Sequence, residues 1–249
     1  MNAAASASIA AVRKELAPGG VLRVGINLGN PVIAQPDPAG GDPNGVGPAL
    51  ARELGRRIGV PVQFLKYETA GKLADAVKEG AWDVGFLAID PARATDIDFS
   101  AAYVHIEGTY LVRDDSPLQA VADVDRKGVR IAVGLKTAYD LHLTREIKQA
   151  ELVRSESSQA ALHQFFSEQL DAVAGVRQPL EDAASRHAGY RVMPESFMVI
   201  RQASGVPRGR KYAASYLAAF IEEMKSCGFV ARALKDSGQT DVAVAPPYI

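Results

Sequence analysis

One arginine follows a short motif that could place it against an anion. Arg93 comes two residues after the pair Asp90-Pro91, and aspartate followed by proline is typical of a helix N-cap and its first helical position. Arg93 would then lie in the first helical turn, close to backbone N–H groups that also favour an anion. The planar guanidinium of arginine can donate two parallel hydrogen bonds to a carboxylate. The alternative is a surface arginine in a solvated turn.

Catalysis and metal binding have less support. The sequence contains no phosphate-binding loop, no zinc-ligand spacing and no nucleophile elbow. The four histidines form no recognisable motif with the single cysteine, Cys227,. This cysteine lies in an apolar helical pattern and is predicted to be a buried structural thiol. We therefore predict no catalytic residue, no metal and no cofactor.

Composition excludes several classes of protein. The chain has 28 basic and 29 acidic residues, a net charge of −1, without the concentrated basic face of nucleic-acid binders. No uncharged run approaches the ~20 apolar residues that span a bilayer. Arg13 and Lys14 follow an Ala/Ser-rich start at residues 1–12, which is the reverse of a secretory signal. Either an export signal has been removed or the protein stays in the cytoplasm.

The elements that must position Arg93 follow from the apolar pattern. Val46, Leu50, Leu54 and Ile58 recur every four residues, which predicts one helical stripe. Helices of this kind alternate with strands, which indicates βαβ units and a mostly parallel sheet. A chain of 249 residues accommodates two small α/β lobes. The predicted strands lie at residues 21–26, 61–65, 83–88, 109–112, 129–133, 151–153, 171–174 and 197–200.

Several segments together resemble the family 3, or amino-acid-type, bacterial extracellular solute-binding proteins. The most specific match is Asp83-Val84, then Asp90 to Arg93, then Phe99-Ser100 with Tyr103. The matching segments follow the order and spacing of the family and extend over residues 22 to 238. The further matching segments are Leu22 to Asn27, Gly45-Val46-Gly47, Arg57 to Val60, Gly128 to Val133 and Leu170 to Val173.

The resemblance implies an α/β, two-lobed type II periplasmic-binding-protein fold, with the second lobe inserted in the first and a cleft at the hinge. Residues 20–104 with 196–249 would form lobe 1, 105–195 lobe 2, and 1–19 an N-terminal extension. The crossings would fall near 102–107 and 192–197. The resemblance further implies a periplasmic monomer, without nucleic-acid or membrane partners, that delivers a small ligand to an ABC transporter permease.

In the family, the arginine that matches Arg93 clamps the carboxylate of the ligand. An aromatic residue often follows the first strand, where this chain has Asn27 to Asn30. Phe86 could replace that stacking face or belong to the core. Thr137 could cap a helix whose N–H groups contact an anion, or cap it without ligand contact. The expected ligand-binding residues are Arg93, Asn27, Asn30, Phe86, Ala88, Glu107, Thr137, Ala138, Tyr139 and Arg177.

The largest departure from the family follows Asp171. The aspartate that usually accepts the α-ammonium of an amino acid, five residues later, is Val176 here, and Arg177 comes next. A buried ammonium without a carboxylate partner costs several kcal/mol. We therefore expect an organic acid, or a carboxylate whose amine lies elsewhere. Glu107 is the best substitute acceptor, and Arg177 could supply a second positive group.

Two alternative functions remain open. Some dehydratases of prephenate or arogenate share the fold and need a general acid. His105 and Glu107 are the acid–base candidates near the proposed cleft, although no adjacent dyad supports them. The other alternative is a ligand-sensing module without a transport role, which would act through a partner because the chain has no DNA-binding extension or membrane anchor.

Overall fold

The computed structural model describes residues 3–248. The helices are α1 (Ala3–Leu16), α2 (Val46–Ile58), α3 (Ala70–Asp75), α4 (Ala138–Glu146), α5 (Ser158–Ser167), α6 (Arg177–Arg186), α7 (Lys211–Ser226) and α8 (Phe229–Asp236). The strands are β1 (Leu22–Asn27), β2 (Val62–Tyr67), β3 (Val84–Ala88), β4 (Ile97–Arg113), β5 (Arg130–Gly134), β6 (Glu151–Ser155), β7 (Ala172–Val176), β8 (Tyr190–Val192), β9 (Met198–Pro207) and β10 (Ala243–Val244).

The described chain forms two compact units. The first unit contains the residues up to His105 and those from Arg201 onward, and the second is Ile106–Ile200. The chain leaves the first unit within β4 and returns to it within β9. The second unit is therefore an insertion in the sequence of the first.

The sheet of the first unit has the strand order β2-β1-β3-β9-β4, and β10 pairs with β4. Strand β1 runs parallel to β2 and β3, whereas β9 runs antiparallel to β3. The prediction of a mostly parallel sheet therefore holds for the βαβ strands, and the returning strand makes the sheet mixed. Leu73, Trp82 and Leu87 belong to one core cluster. The indole Nε1 of Trp82 donates to the carbonyl of Leu73 at 2.9 Å.

The sequence of helix α2 determines both which face of the helix is buried and where the helix ends. The predicted stripe of Val46, Leu50, Leu54 and Ile58 is fully buried, and the helix ends at Gly59 with a φ of 69°. A left-handed C-cap of this kind favours glycine because other side chains are strained there. The prediction of a helix from Val46 to Ile58 is confirmed.

Helix α1 belongs to the first unit and packs against α7. Arg210, which precedes α7, donates Nη1 to the carbonyl of Glu15 at 2.6 Å and to Oδ1 of Asp83 at 2.9 Å. Asp83 is completely buried and also accepts both Nε and Nη2 of Arg23 at 2.9 Å. Of the predicted extension at residues 1–19, the first two residues lie outside the described part of the chain.

The second unit has the strand order β4-β7-β5-β6, and β8 pairs with β4. Strands β6 and β7 run parallel to β5, whereas β4 runs antiparallel to β7. Its core contains Leu111, Phe165 and Leu180. Helix α6 and strand β8 were not predicted from the sequence. Only Leu180 and Ala183 of α6 are buried, so its apolar stripe is too thin to recognise.

The prediction for Cys227 was wrong. Its side chain is exposed because the residue caps the C-terminus of α7, just before the left-handed Gly228. No helix within residues 3–248 combines the length and apolar character needed to cross a membrane. The same residues contain no group of three or more His, Cys, Asp or Glu side chains placed to hold a metal ion.

Candidate functional site

Arg93 lies in a tight turn between β3 and β4. Its side chain is turned inward, and the residue is only 6% exposed. Nη1 donates to the carbonyl of Ala88, the last residue of β3, at 2.9 Å. The turn is fixed by Asp90, whose Oδ1 accepts from the backbone N–H of Ala92 at 2.8 Å. The alternative of a solvated surface arginine therefore does not describe this structure.

The predicted helix around Arg93 is a single 3₁₀ turn, Arg93–Thr95. Strand β4 begins at Ile97, which leaves no room for a longer helix. The N–H of Ala94 donates to the carbonyl of Asp90 at 2.9 Å, so it is used within the turn. The expected row of helix N–H groups beside Arg93 was therefore wrong, and any anion there would depend on the guanidinium itself.

Burial lowers the pKa of Arg93 to about 10, and the nearby carboxylates of Asp90 and Asp75 oppose this shift only in part. Desolvation thus outweighs the attraction from both acids. A further anion at the guanidinium would restore part of the lost stabilisation of the charged form. Arg93 is consequently well suited to hold an anionic group.

The other predicted residues of the first unit have mainly structural contacts. Asn27 accepts from the N–H of Gly29 at 2.9 Å, and Asn30 accepts from the N–H of Val32 at 3.2 Å. Both side chains therefore shape the loop after β1. Phe86 is 1% exposed, and its ring meets that of Tyr103 edge-on at 6.0 Å. The structure therefore favours the core alternative for Phe86.

The three predicted residues at the start of α4 form a capped helix end. Thr137 is the N-cap; its Oγ1 accepts from the N–H of Asp140 at 3.1 Å and donates to the carbonyl of Gly134 at 2.8 Å. The N–H groups of Ala138 and Tyr139 have no acceptor within the helix, as the first helical residues never do. The hydroxyl of Tyr139 lies 2.5 Å from that of Ser158.

Arg177 and Glu107 were each expected to contact the ligand, but they form an ion pair with each other. The guanidinium of Arg177 also donates to the carbonyls of Met193 at 3.1 Å and Pro194 at 2.9 Å. The positive group proposed at Arg177 and the ammonium acceptor proposed at Glu107 therefore neutralise each other. Strand β7 ends at Val176, so the pair forms at the position where the family aspartate is missing.

Sequence reasoning missed two carboxylates that position the site. Asp90 was read only as a helix cap, although it holds the Arg93 turn and is almost fully buried. Asp140 is also buried; it pairs with Arg154 at 2.8 Å and accepts from the N–H of Lys136 at 2.7 Å. The spacing Thr137-x-x-Asp140 is the signal of a capping box and could have identified the second one.

Tyr103 is a further missed residue. It was quoted only as part of a motif, yet its hydroxyl is buried without a hydrogen-bond partner among the described residues. Burial raises the pKa of this hydroxyl. His105, two residues later, has its pKa lowered by burial and by Arg201 and Lys225. Both residues lie on β4 just before the chain enters the second unit.

Comparison with known families identifies one match. A sequence model of the bacterial extracellular solute-binding proteins, family 3, matches residues 22–238, which is most of the chain. A search of curated proteins finds no match.

Among solved structures, three similar ones illustrate the fold. The ancestral amino acid-binding protein AncCDT-1, a precursor of cyclohexadienyl dehydratase, is 21% identical, with a TM-score of 0.75 over 90% of this chain and 97% of that one. The cysteine-binding protein from Campylobacter jejuni is 20% identical, with a TM-score of 0.77 over 92% of each chain. The amino acid ABC transporter substrate-binding protein AbpA from Streptococcus pneumoniae, bound to L-arginine, is 16% identical, with a TM-score of 0.76 over 90% of this chain and 97% of that one.

Proposed function

Since this chain belongs to the bacterial extracellular solute-binding proteins, family 3, we propose that it binds a small carboxylate-bearing solute between its two lobes. In this proposal it is the monomeric substrate-binding component of an ABC-type transporter. It acts in the periplasm and delivers the solute to a permease. Strands β4 and β9, within which the chain changes unit, supply the hinge.

The observation that carries the proposal is the state of Arg93. Its guanidinium is removed from water, and burial lowers its pKa despite the nearby Asp90 and Asp75. A guanidinium held out of water gains charge-assisted hydrogen bonds from a carboxylate that arrives with the ligand. Backbone N–H groups of Ala138 and Tyr139, at the capped start of α4, would contact the ligand from the second unit.

The ligand we propose lacks an α-ammonium group. Val176 replaces the aspartate that the family resemblance leads one to expect, and the substitute carboxylate Glu107 is paired with Arg177. Two further acids of that unit, Asp140 and Glu181, are paired with Arg154 and Arg177. An ammonium would therefore lose its water without gaining a carboxylate, which costs several kcal/mol.

Matched ligand pairs test this proposal. Glutarate and succinate differ from L-glutamate and L-aspartate only by the ammonium group, so each pair isolates its effect. Native mass spectrometry of the purified protein would first show whether a ligand is retained, and isothermal titration would then compare the pairs. In any pair for which binding is measurable, we expect the acid without the ammonium group to bind at least tenfold more tightly than the amino acid. Micromolar binding of an α-amino acid would overturn the proposal that the ligand lacks an ammonium group.

A dehydratase activity is the second candidate, because AncCDT-1 is named as a dehydratase precursor. The acid–base candidates in this chain are His105 and Glu107. Glu107 is engaged by Arg177, which leaves it poorly placed to protonate a leaving hydroxyl. Loss of prephenate absorbance on incubation with the purified protein would favour catalysis over binding.

A further inference from the structure

A cavity of about 620 Å³ opens on the first unit, and its lining contains none of the residues proposed to hold the transported solute. Three elements line this open cavity: the hairpin closed by the Gln35–Asn44 bridge, helix α2 and helix α8. Its volume falls within the range of small-molecule sites, ~300–1,000 Å³. All of its lining residues belong to that one unit.

Hydrogen bonds fix the walls of this cavity. Arg52, on α2, donates Nη2 to the carbonyl of Pro43 in the hairpin at 2.8 Å. Gln35, at the base of the hairpin, donates Nε2 to the carbonyl of Ser237 after α8 at 3.1 Å. These hydrogen bonds connect the hairpin to both helices. They therefore fix the width of the space between the three elements.

The charged groups of the cavity are complementary to a monoanion. Arg52 and Arg232 line it from α2 and α8, and within residues 3–248 neither forms an ion pair with a carboxylate. Arg52 is held against the ring of Phe64, 5.1 Å from its centroid, and Arg232 donates only to the carbonyl of Cys227, at 3.1 Å. Asp236 lies in the same lining and reduces the charge of the cavity to one positive unit.

The remaining lining is partly apolar. Ala49, Phe229 and Ala233 contribute carbon surface to the lining. A ligand that matches both features has one negative group and a compact apolar body. We propose that this cavity is a second binding site, independent of the transport site, for a small monocarboxylate with an aromatic or branched body.

Sodium benzoate is a suitable probe, measured by isothermal titration and ligand-observed NMR with the full chain. We expect it to bind the wild type, and the double variant Arg52→Gln/Arg232→Gln to bind it at least tenfold more weakly. A matched control, Arg56→Gln/Arg186→Gln, removes two exposed arginines outside the cavity and should bind as the wild type does. Ala49→Leu narrows the cavity without a change of charge and should also weaken binding.

Arg93→Gln separates this site from the transport site. Benzoate binding that survives in Arg93→Gln but is lost in the double variant would support the second site, whatever becomes of the proposed function. Loss in Arg93→Gln alone would mean that benzoate occupies the transport site and would overturn the second site. Equal binding by all the variants, or no binding by the wild type, would overturn it as well.

Discussion

Arg93 shows how a single residue gains its role from burial rather than from sequence neighbours. The motif around it predicted a helix N-terminus, yet the structure has one 3₁₀ turn held by Asp90. In the proposed site the guanidinium, rather than a set of backbone dipoles, would therefore bind the anion. The carbonyl of Ala88 accepts from its Nη1, and the carboxylates of Asp90 and Asp75 favour its charged form.

The side chain of Thr137 stabilises the N-terminus of α4. Its hydroxyl caps α4, so Thr137→Ala should lower the free energy of unfolding by about 1 kcal/mol. Thr137→Ser keeps the hydroxyl and is the matched control. Urea unfolding of the two variants measures the difference. Equal stability of the alanine and serine variants would show that the cap contributes nothing.

Glu53 gives a pH-dependent prediction. Hydrogen bonds from Arg56 and Arg57 lower its pKa to about 2. Because the folded-state pKa lies below the unfolded value, the stabilisation is complete above about pH 5 and is lost as the pH falls towards 2. Glu53→Gln should therefore be about 1 kcal/mol less stable than the wild type at pH 7, and the difference should shrink as the pH falls towards 2 and vanish below it.

Urea unfolding as a function of pH measures this effect. Glu151→Gln changes an exposed glutamate outside any ion pair of the described chain and serves as the control. A stability difference for Glu53→Gln that stays constant from pH 7 to pH 2 would rule out the ion pairs as its cause.

At the scale of elements, Asp83 joins three parts of the first unit. Its buried carboxylate accepts from Arg23 on β1 and from Arg210 before α7, and Arg210 also holds the end of α1. Asp83→Asn removes the charge that two arginines share. The free energy of unfolding should fall by about 3 kcal/mol, because a broken buried pair leaves an uncompensated charge.

Asp96→Asn is the control for this change, since Asp96 is exposed and lies 3.6 Å from Lys78. Its effect should stay below about 0.5 kcal/mol. Denaturant unfolding with hydrogen exchange of α1 would report both stability and the docking of the helix. A loss of stability in Asp83→Asn no larger than in Asp96→Asn would contradict the role assigned to the carboxylate.

For the whole molecule, the sequence predicted the features that depend on local apolar periodicity and on the order of segments along the chain. The stripe of α2, the alternation of strands and helices and the α/β class follow from apolar spacing, and the family was recognised from the order of weak motifs. The long strand β4 was predicted only in pieces, because its 17 residues pass through different environments with no single apolar period.

What the sequence could not predict depends on contacts between distant residues. Glu107 and Arg177 are seventy positions apart, and neither residue carries a local signal that they pair. Burial is equally non-local: Phe86 and Tyr103 meet across strands β3 and β4, whereas Cys227 lies exposed at a helix end. The contacts of the side chains in the candidate site could therefore be determined only from the structure, whereas the fold could be predicted from the sequence.

The central claim is that Arg93 binds the carboxylate of the solute. Isothermal titration of the best-binding acid into the wild type, Arg93→Gln and the control Arg113→Gln tests it most directly. Truncation of one partner in a buried charge pair typically costs ~2–5 kcal/mol, so we expect Arg93→Gln to raise the Kd by about 30-fold or more and Arg113→Gln to leave it unchanged. A correctly folded Arg93→Gln variant with a Kd close to that of the wild type would contradict the claim.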